Sequence, residues 1–285
     1  MTVTKRIKVY PDGNEYLKTN TNMWVRNFTK PNVVQVDLNK TYNSSDYFTF
    51  LKNEIQNSMQ KHVWINQENY VHEKVMIISD GYEFEKKQKI LASIPKNVTV
   101  IGVCGTLAKW PVANRNMDYY VVNNPYSECL KYFGRRHIRT FPKCIASLKT
   151  NSDFIANYRG RIFRYLPVYE GDYTSKFIKE TDQQIDDYRN PICAAIQMAY
   201  MFNASKIFLY CCDDSFAGER PGAELLENGL YQYPQQRVAH ELIDAKLFWL
   251  KYLPYQEISI MYNSNGLKFE NATYIEEDEI INALK

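Results

Sequence analysis

Short, continuous apolar runs alternate with helical segments from Glu73 to the end of the chain. The clearest runs, in chain order, are KVMIISDG (74–81), NVTVIGVCG (97–105), MDYYVVNNP (117–125), KIFLYCCDD (206–214) and EISIMYNSNG (257–266). A strand that is apolar at every position must be covered on both of its faces. The alternation therefore predicts an α/β, Rossmann-like fold, with a mostly parallel sheet and helices on both faces. HIRTF (137–141) and RIFRYLPV (161–168) are further strand candidates.

The first 72 residues differ in character from the rest. They are polar, rich in Asn and Thr, and contain one candidate helix from Ser44 to His62. Phe48, Leu51, Ile55 and Met59 recur in it at three- and four-residue spacing, which predicts one apolar, packed face. We therefore divide the chain into a helical N-terminal extension, residues 1–72, and a Rossmann-like domain, residues 73–285.

Charge and cysteine usage narrow the class of protein. The net charge is only +3, from 35 basic and 32 acidic residues, which does not favour nucleic-acid binding. If the protein does bind nucleic acid, the candidate contacts are two short basic clusters, Gly134 to Arg139 and Tyr158 to Arg164. The six cysteines form no C-x-x-C pair and mostly lie in apolar segments, as reduced core thiols do, so we expect a cytoplasmic protein. No apolar run reaches the ~20 residues of a membrane span.

Small or polar residues follow five of the predicted strands. In a parallel sheet these strand ends share one edge, where ligands bind. Turn chemistry alone also favours Gly, Asn, Asp and Ser at such places. Taken together, five polar strand ends on one edge predict a polar cleft. They are Ser79-Asp80-Gly81, Cys104-Gly105-Thr106, Asn123-Asn124-Pro125, Asp213-Asp214-Ser215 and Asn263-Ser264-Asn265.

The familiar nucleotide and hydrolase motifs are absent from the sequence. It has no GxGxxG, no P-loop lysine, no HExxH and no G-x-S-x-G. Arg189 stands just before the apolar helix that begins at Pro191, where a helix N-terminus favours anions. An ion pair with Asp186 or Asp187 is the alternative role for Arg189. His240 falls within the last long predicted helix, where a histidine on the polar face is the alternative to a catalytic one.

Four stretches resemble the bacterial sialyltransferases and the wider superfamily of MptE-like 6-hydroxymethylpterin diphosphokinases. They are MIISDGYEFE, VTVIGVCGTL, YYVVNNPYSECLKYF and RNPICAAIQMAYMFNASKIFLYCCDDSF, within about residues 74–269. The glycine-rich turn of that superfamily is here SDGYEF, and its second-strand Asn is here Cys104. The stretch where the sialyltransferases carry a histidine base is here YQYPQQR, without histidine, and His240 follows one turn later.

The resemblance implies roles for individual residues. Asp80 and Gly81 would lie by the phosphates of a nucleotide donor, and Asn124 would bind ribose or phosphate. Arg189 and Asn190 would line the donor pocket, and a metal ligand is not expected. With the remaining strand-end residues, the predicted nucleotide site is Asp80, Gly81, Gly105, Asn124, Arg189, Asn190, Asp213 and Asn263.

Three functions follow as hypotheses. The first is a nucleotide-activated transferase, foremost a glycosyltransferase, which needs no cofactor and in which Asp214 or His240 deprotonates the acceptor. The second is an MptE-like diphosphokinase, which needs Mg²⁺ and ATP at Asp213 and Asp214. The third is a non-catalytic binding or structural module on the same fold. The donor nucleotide, the acceptor and the oligomeric state stay open at this point.

Overall fold

The computed structural model of the chain describes the strands and helices of the domain and parts of the N-terminal extension. The described residues are 7–9, 15–18, 24–26, 44–60, 63–65, 72–111, 115–133, 141–167, 184–185, 187–212, 215, 217–251, 258–264 and 268–285. Across these residues, no helix is both long enough and apolar enough to cross a bilayer.

Strands and helices alternate along the described chain. The strands are β1 (Ile7–Val9), β2 (Glu15–Lys18), β3 (Trp24–Arg26), β4 (Val63–Trp64), β5 (Lys74–Ile78), β6 (Val98–Val103), β7 (Tyr119–Val122), β8 (Lys143–Ser147), β9 (Ile162–Pro167), β10 (Gln184–Ile185), β11 (Lys206–Tyr210), β12 (Glu224–Leu225), β13 (Tyr231–Gln232), β14 (Ser259–Asn263) and β15 (Thr273–Tyr274). The helices are α1 (Ser44–Ser58), α2 (Phe84–Lys87), α3 (Thr106–Lys109), α4 (Ser152–Asn157), α5 (Pro191–Met201), α6 (Pro234–Lys251) and α7 (Glu277–Leu284). Two 3₁₀ segments, Gln88–Ser93 and Ser127–Phe133, supplement them.

One parallel sheet organises the domain. Its strand order is β10-β9-β8-β7-β6-β5-β11-β14-β15, and β4 pairs with β9. All of these pairings are parallel. The order runs outward from β5 to β10 and then resumes on the other side of β5 with β11, so the chain switches direction between β5 and β11. The predicted Rossmann-like α/β fold is confirmed. β1–β3 form a separate antiparallel sheet, and β12 and β13 form a hairpin.

The sheet is covered on both faces, as its fully apolar strands require. Within β5, Val75 and Ile77 face one buried cluster, which also holds the apolar residues of α5 and α6. Met76 and Ile78 face the other cluster, which includes α2, α3, α4, α7 and the 3₁₀ segments. Each full-length strand therefore contributes to two cores, which stabilises the sheet through burial on either side.

The strand β8, Lys143–Ser147, is not among the predicted strands, although it alternates between the two buried cores. Of the strand candidate HIRTF, residues 137–140 lie outside the described residues. One local prediction, the apolar face of α1, is corrected. In α1, the two members of the predicted apolar face whose burial is described are exposed. Ile55 and Met59 are 53% and 83% exposed, whereas Asn53 and Asn57 are buried.

Asparagine side chains attach α1 to the carboxyl edge of the sheet. Asn57 Nδ2 donates to the carbonyl oxygens of Leu148 and Thr150, at 2.8 and 2.7 Å. Asn53 Nδ2 donates to those of Pro125 and Lys149, at 2.8 and 3.3 Å. These carbonyls follow β7 and β8, where the strands have ended and the backbone needs partners. The hydrogen-bonding demand of the strand ends therefore decides which face of α1 packs inward.

Candidate functional site

A cavity of about 200 Å³ lies at the carboxyl edge of the sheet. Cys104 follows β6, residues 121–126 end β7 and form the next turn, and Lys149 follows β8. Tyr132 comes from a 3₁₀ segment, Arg189 and Pro191 come from the start of α5, and Phe50 comes from α1. The site thus lies over β6, β7 and β8 rather than over the switch point between β5 and β11.

The Asn124-Pro125-Tyr126 turn forms one wall of the cavity. Asn124 Oδ1 accepts from the backbone N–H of Tyr126 at 2.8 Å, and Nδ2 donates to the Tyr132 hydroxyl at 3.2 Å. An Asn that bonds its own turn in this way rigidifies the turn. Burial raises the pKa of Tyr132 far above its ordinary value, so the phenol keeps its proton and can donate a hydrogen bond. The predicted site residue Asn124 does line the cavity.

A buried carboxylate lies behind this wall. Asp187 is completely buried, and its Oδ2 accepts from the Tyr165 hydroxyl at 2.7 Å and from Asn123 Nδ2 at 3.1 Å. Its Oδ1 accepts from the backbone N–H of Arg189 at 2.9 Å. Buried charges persist in proteins only when hydrogen bonds compensate them. Asp187 therefore connects the end of β7, the strand β9 and the turn that precedes α5.

That turn has a strained backbone. Tyr188 and Arg189 have φ of 46° and 59°, a left-handed conformation that costs a side chain of order 1 kcal/mol or more. Asn190 then caps α5, since its Oδ1 accepts from the backbone N–H of Ile192 at 2.8 Å. Cys104 and Cys211 are also left-handed, and both directly follow strands of the sheet. A strained backbone conformation persists only where the surrounding structure enforces it, and such conformations cluster at ligand sites.

Two cationic side chains, Arg189 and Lys149, line the cavity. The Arg189 guanidinium lies over the face of Phe50, 5.5 Å from the ring centre, and Lys149 is only 5% exposed. The N-terminus of α5 adds its positive dipole end. Apolar and aromatic walls combined with two cations suit a ligand that has a flat ring and an anionic group.

Three predicted site residues lie at neighbouring strand ends, but they contact other parts of the protein. Asp80 Oδ1 accepts from the backbone N–H of Gly105 at 3.0 Å, and its Oδ2 lies 3.4 Å from Lys109 Nζ. A Cβ on Gly105 would lie 2.2 Å from Asp80 Oδ2, so this position has no room for a side chain. The backbone N–H of Gly81 donates to the carbonyl oxygen of Cys211 at 3.1 Å. This hydrogen bond joins the segment after β5 to the segment after β11.

Two other predicted residues lie elsewhere in the fold. Asn263 is buried between Lys87 Nζ, whose hydrogen bond it accepts at 2.8 Å, and the carbonyl of Ile275. His240 is 6% exposed, and its ring stacks on Phe269 with the ring centres 4.1 Å apart. Burial lowers the pKa of His240 from 6.5 to about 4, so the ring is neutral at neutral pH. Asp213 and Asp214 lie outside the described residues.

Sequence reasoning missed several residues that shape the cavity. Lys149 is not among the predicted residues because the strand before it, β8, is not predicted; with β8, a sixth strand end would join the list. Asp187 was considered only as an ion-pair partner of Arg189. Asn123 was noted at a strand end but not chosen, and the contribution of Phe50 and Tyr132 depends on tertiary packing. In the parts of the chain that the structure describes, no group of three or more His, Cys, Asp or Glu residues could hold a metal ion.

Comparison with known proteins supports the fold. The chain is similar to the MAf glycosyltransferase from Magnetospirillum magneticum AMB-1, with a TM-score of 0.60 and 13% sequence identity. The match covers 82% of this chain but 38% of that protein. The likeness establishes a shared fold. By that coverage, this chain spans under two fifths of the length of the MAf glycosyltransferase. No protein-family model matches the sequence, and no curated protein matches it. The comparisons therefore do not support the sialyltransferase or MptE-like assignment.

Proposed function

We propose that the chain is a nucleotide-activated transferase of the glycosyltransferase class, and that the cavity holds the nucleotide part of the donor. The observation that carries the proposal is the composition of the cavity: aromatic walls beside Arg189 and Lys149 at the carboxyl edge of a parallel sheet. Ligands bind at this edge in open α/β sheets. The shared fold with a glycosyltransferase supports the same class of reaction.

The size of the cavity decides which part of the donor it takes. Small-molecule sites usually measure about 300–1,000 Å³, whereas this cavity measures about 200 Å³. It suits a nucleobase with part of its ribose, and the activated sugar would extend outside. Phe50 and Tyr126 would contact the base, while Arg189, Lys149 and the start of α5 would attract the phosphate.

The proposal assigns the general base to Asp214 rather than His240. His240 is buried against Phe269 and does not line the cavity, which does not suit proton transfer from an acceptor. A general base typically contributes ~10²–10⁴ in rate. Once a donor and acceptor are known, Asp214→Ala should lower turnover by that range and His240→Leu should not. The opposite order would return the role to His240.

A thermal-shift experiment tests the proposal. The full chain is heated with CMP, UMP, GDP, AMP and ATP, each with and without Mg²⁺, since a ligand of the native state raises Tm. We expect a metal-independent rise with at least one nucleoside monophosphate. Arg189→Ala should lose the rise, whereas Arg159→Ala, which removes an exposed arginine away from the cavity, should keep it.

Two other outcomes contradict the proposal. A rise only with ATP and Mg²⁺, lost in Asp213→Ala, would indicate the diphosphokinase. No rise with any nucleotide would indicate a binding or structural module without a nucleotide site.

A further inference from the structure

One buried side chain joins two walls of the cavity without lining it. Asn53, in α1, is 3% exposed, and its Nδ2 donates to the carbonyl oxygens of Pro125 and Lys149 at 2.8 and 3.3 Å. Pro125 and Lys149 both line the cavity, whereas Asn53 does not. Pro125 lies in the turn after β7, and Lys149 follows β8. A single nitrogen atom therefore connects the segments that follow two neighbouring strands.

The two partners settle the orientation of the Asn53 amide. Both are backbone carbonyls, which can only accept a hydrogen bond, and an amide NH₂ group carries two hydrogens, one for each of them. An amide oxygen in the same place would face two acceptors. The NH₂ group of Asn53 must therefore point toward Pro125 and Lys149, and loss of this side chain removes the donor from both carbonyls.

The inward face of α1 places Asn53 next to the aromatic residue of the cavity. Among the residues of α1 whose burial is described, the buried ones recur at three- and four-residue spacing, which puts them on one face of the helix. They are Phe50, Asn53, Glu54 and Asn57. Phe50 lines the cavity, and Asn53 binds its walls about one turn later. The same helix face thus supplies one wall and joins two others.

We propose that Asn53 is a positioning residue of the nucleotide site, which acts on the ligand only through Pro125 and Lys149. The inference rests on the proposed function and adds a residue to that same site. A cavity binds more tightly when its walls already have the bound arrangement, because binding then requires no ordering of the walls. Without the Asn53 donor, the backbone at Pro125 and at Lys149 gains freedom, and the affinity for the ligand falls.

The fold itself does not depend on this side chain. Two direct hydrogen bonds also join the segments that follow β7 and β8. The backbone N–H of Asn151 donates to the carbonyl oxygen of Asn124 at 3.0 Å, and Thr150 Oγ1 donates to that of Val122 at 3.0 Å. We therefore expect variants of Asn53 to fold, with a change that is confined to the walls of the cavity.

Asn57 provides a matched control on the same face of α1. It is also buried, and its Nδ2 also donates to two carbonyl oxygens, those of Leu148 and Thr150. Neither Leu148 nor Thr150 lines the cavity. Asn53→Ala and Asn57→Ala thus remove the same number of hydrogen bonds, but only the first removes them from cavity residues. An alanine places no acceptor against these carbonyls, so α1 stays attached through its remaining contacts.

Isothermal titration of the full chain with CMP, UMP, GDP, AMP and ATP tests the inference, together with thermal unfolding. We expect Asn53→Ala and Asn57→Ala to lower Tm by similar amounts. Asn53→Ala should weaken binding of the nucleotides that the wild type binds by about tenfold, whereas Asn57→Ala should leave their Kd nearly unchanged. Asn53→Ser and Asn57→Ser each keep one hydroxyl donor, and the same difference between them is expected if an alanine variant does not fold.

Two results would overturn the inference alone. Equal losses of affinity at the two positions would show that Asn53 acts only by attaching α1. An unchanged Kd in Asn53→Ala would show that the cavity walls do not need this donor. Binding of no nucleotide by the wild type would instead overturn the proposed function and this inference with it, so the two failures are distinguishable.

Discussion

The guanidinium of Arg189 lies over the ring of Phe50, with its central carbon 5.5 Å from the ring centre. Phe50 belongs to α1, in the N-terminal extension, and Arg189 belongs to the turn before α5. Such a pair is worth roughly 0.5–2 kcal/mol, more when it is removed from water. The contact holds both groups at the cavity and makes the extension part of the candidate site.

Substitutions at Phe50 should weaken nucleotide binding according to the loss of the ring. Phe50→Ala should lower affinity about tenfold and should also destabilise the chain by about 3 kcal/mol, because Phe50 is 8% exposed. Phe50→Leu keeps most of the volume but not the aromatic face, so its affinity should fall while its stability falls less. Titration calorimetry and urea unfolding measure the two effects. Wild-type affinity in Phe50→Leu would show that the ring contributes no stacking.

Asn57 should be decisive for the attachment of α1. It is fully buried and donates to two carbonyls beyond β8. Asn57→Asp replaces the donor with an acceptor of the same size, so both carbonyls would face a carboxylate. We expect a loss of about 2 kcal/mol or more in the free energy of unfolding. Hydrogen exchange of the α1 amides should quicken, which measures the release of the helix.

Gln56 provides the control for that helix. Its side chain accepts from Ser152 Oγ at 2.8 Å on the exposed side. Gln56→Ala should change stability by no more than about 0.5 kcal/mol. Similar effects from Gln56→Ala and Asn57→Asp would contradict the attachment by buried asparagines.

Gly105 and Asp80 should show strong coupling. Gly105 has φ of −76°, which any residue can adopt, so an alanine there is opposed by the Asp80 carboxylate, whose Oδ2 would lie 2.2 Å from its Cβ. Gly105→Ala should cost about 1–3 kcal/mol. In the Asp80→Ala background the same change should cost much less, a coupling of order 1 kcal/mol in a double-mutant cycle of urea unfolding. Additive costs would mean that the carboxylate moves aside freely.

His240 should make the free energy of unfolding depend on pH in the acid range. Its pKa is about 4 in the folded chain against an ordinary 6.5, because burial disfavours the charged ring. The unfolded chain therefore binds the extra proton first as pH falls below 6.5, and stability is lost between pH 6.5 and 4. The loss from this group amounts to about 3 kcal/mol. His240→Leu should show a flatter stability profile over this window, and parallel profiles would refute the assignment.

The sheet was predictable because its signal is local. Runs such as KVMII and VTVIGV are apolar at every position, and only a strand covered on both faces accommodates them. The strand β8 was not predicted because KCIAS is short and mixed in polarity, and its burial is decided by its neighbours. The packing of Ile55 and Met59 in α1 was also mispredicted. There, two asparagines satisfy strand-end carbonyls, and this need outweighs the apolar spacing of Ile55 and Met59.

The candidate site was predictable only as an edge of the sheet. Asn124 and Arg189 line the cavity, whereas Asp80, Asn190 and Asn263 do not. A polar residue at a strand end has the same local signature in either position. Whether it lines the cavity depends on how distant segments pack around the edge of the sheet.

The sequence by itself determined the parallel sheet, its two covered faces and the edge at which polar residues gather, since hydrophobic periodicity acts over a few neighbours. Only the tertiary structure decided which polar groups line the cavity. Asp187 accepts a hydrogen bond from the Asn123 amide, and α1 brings Phe50 to Arg189, through contacts between segments far apart in the chain. Burial and hydrogen-bond satisfaction are properties of the packed molecule, and they select the few available groups from the many polar ones.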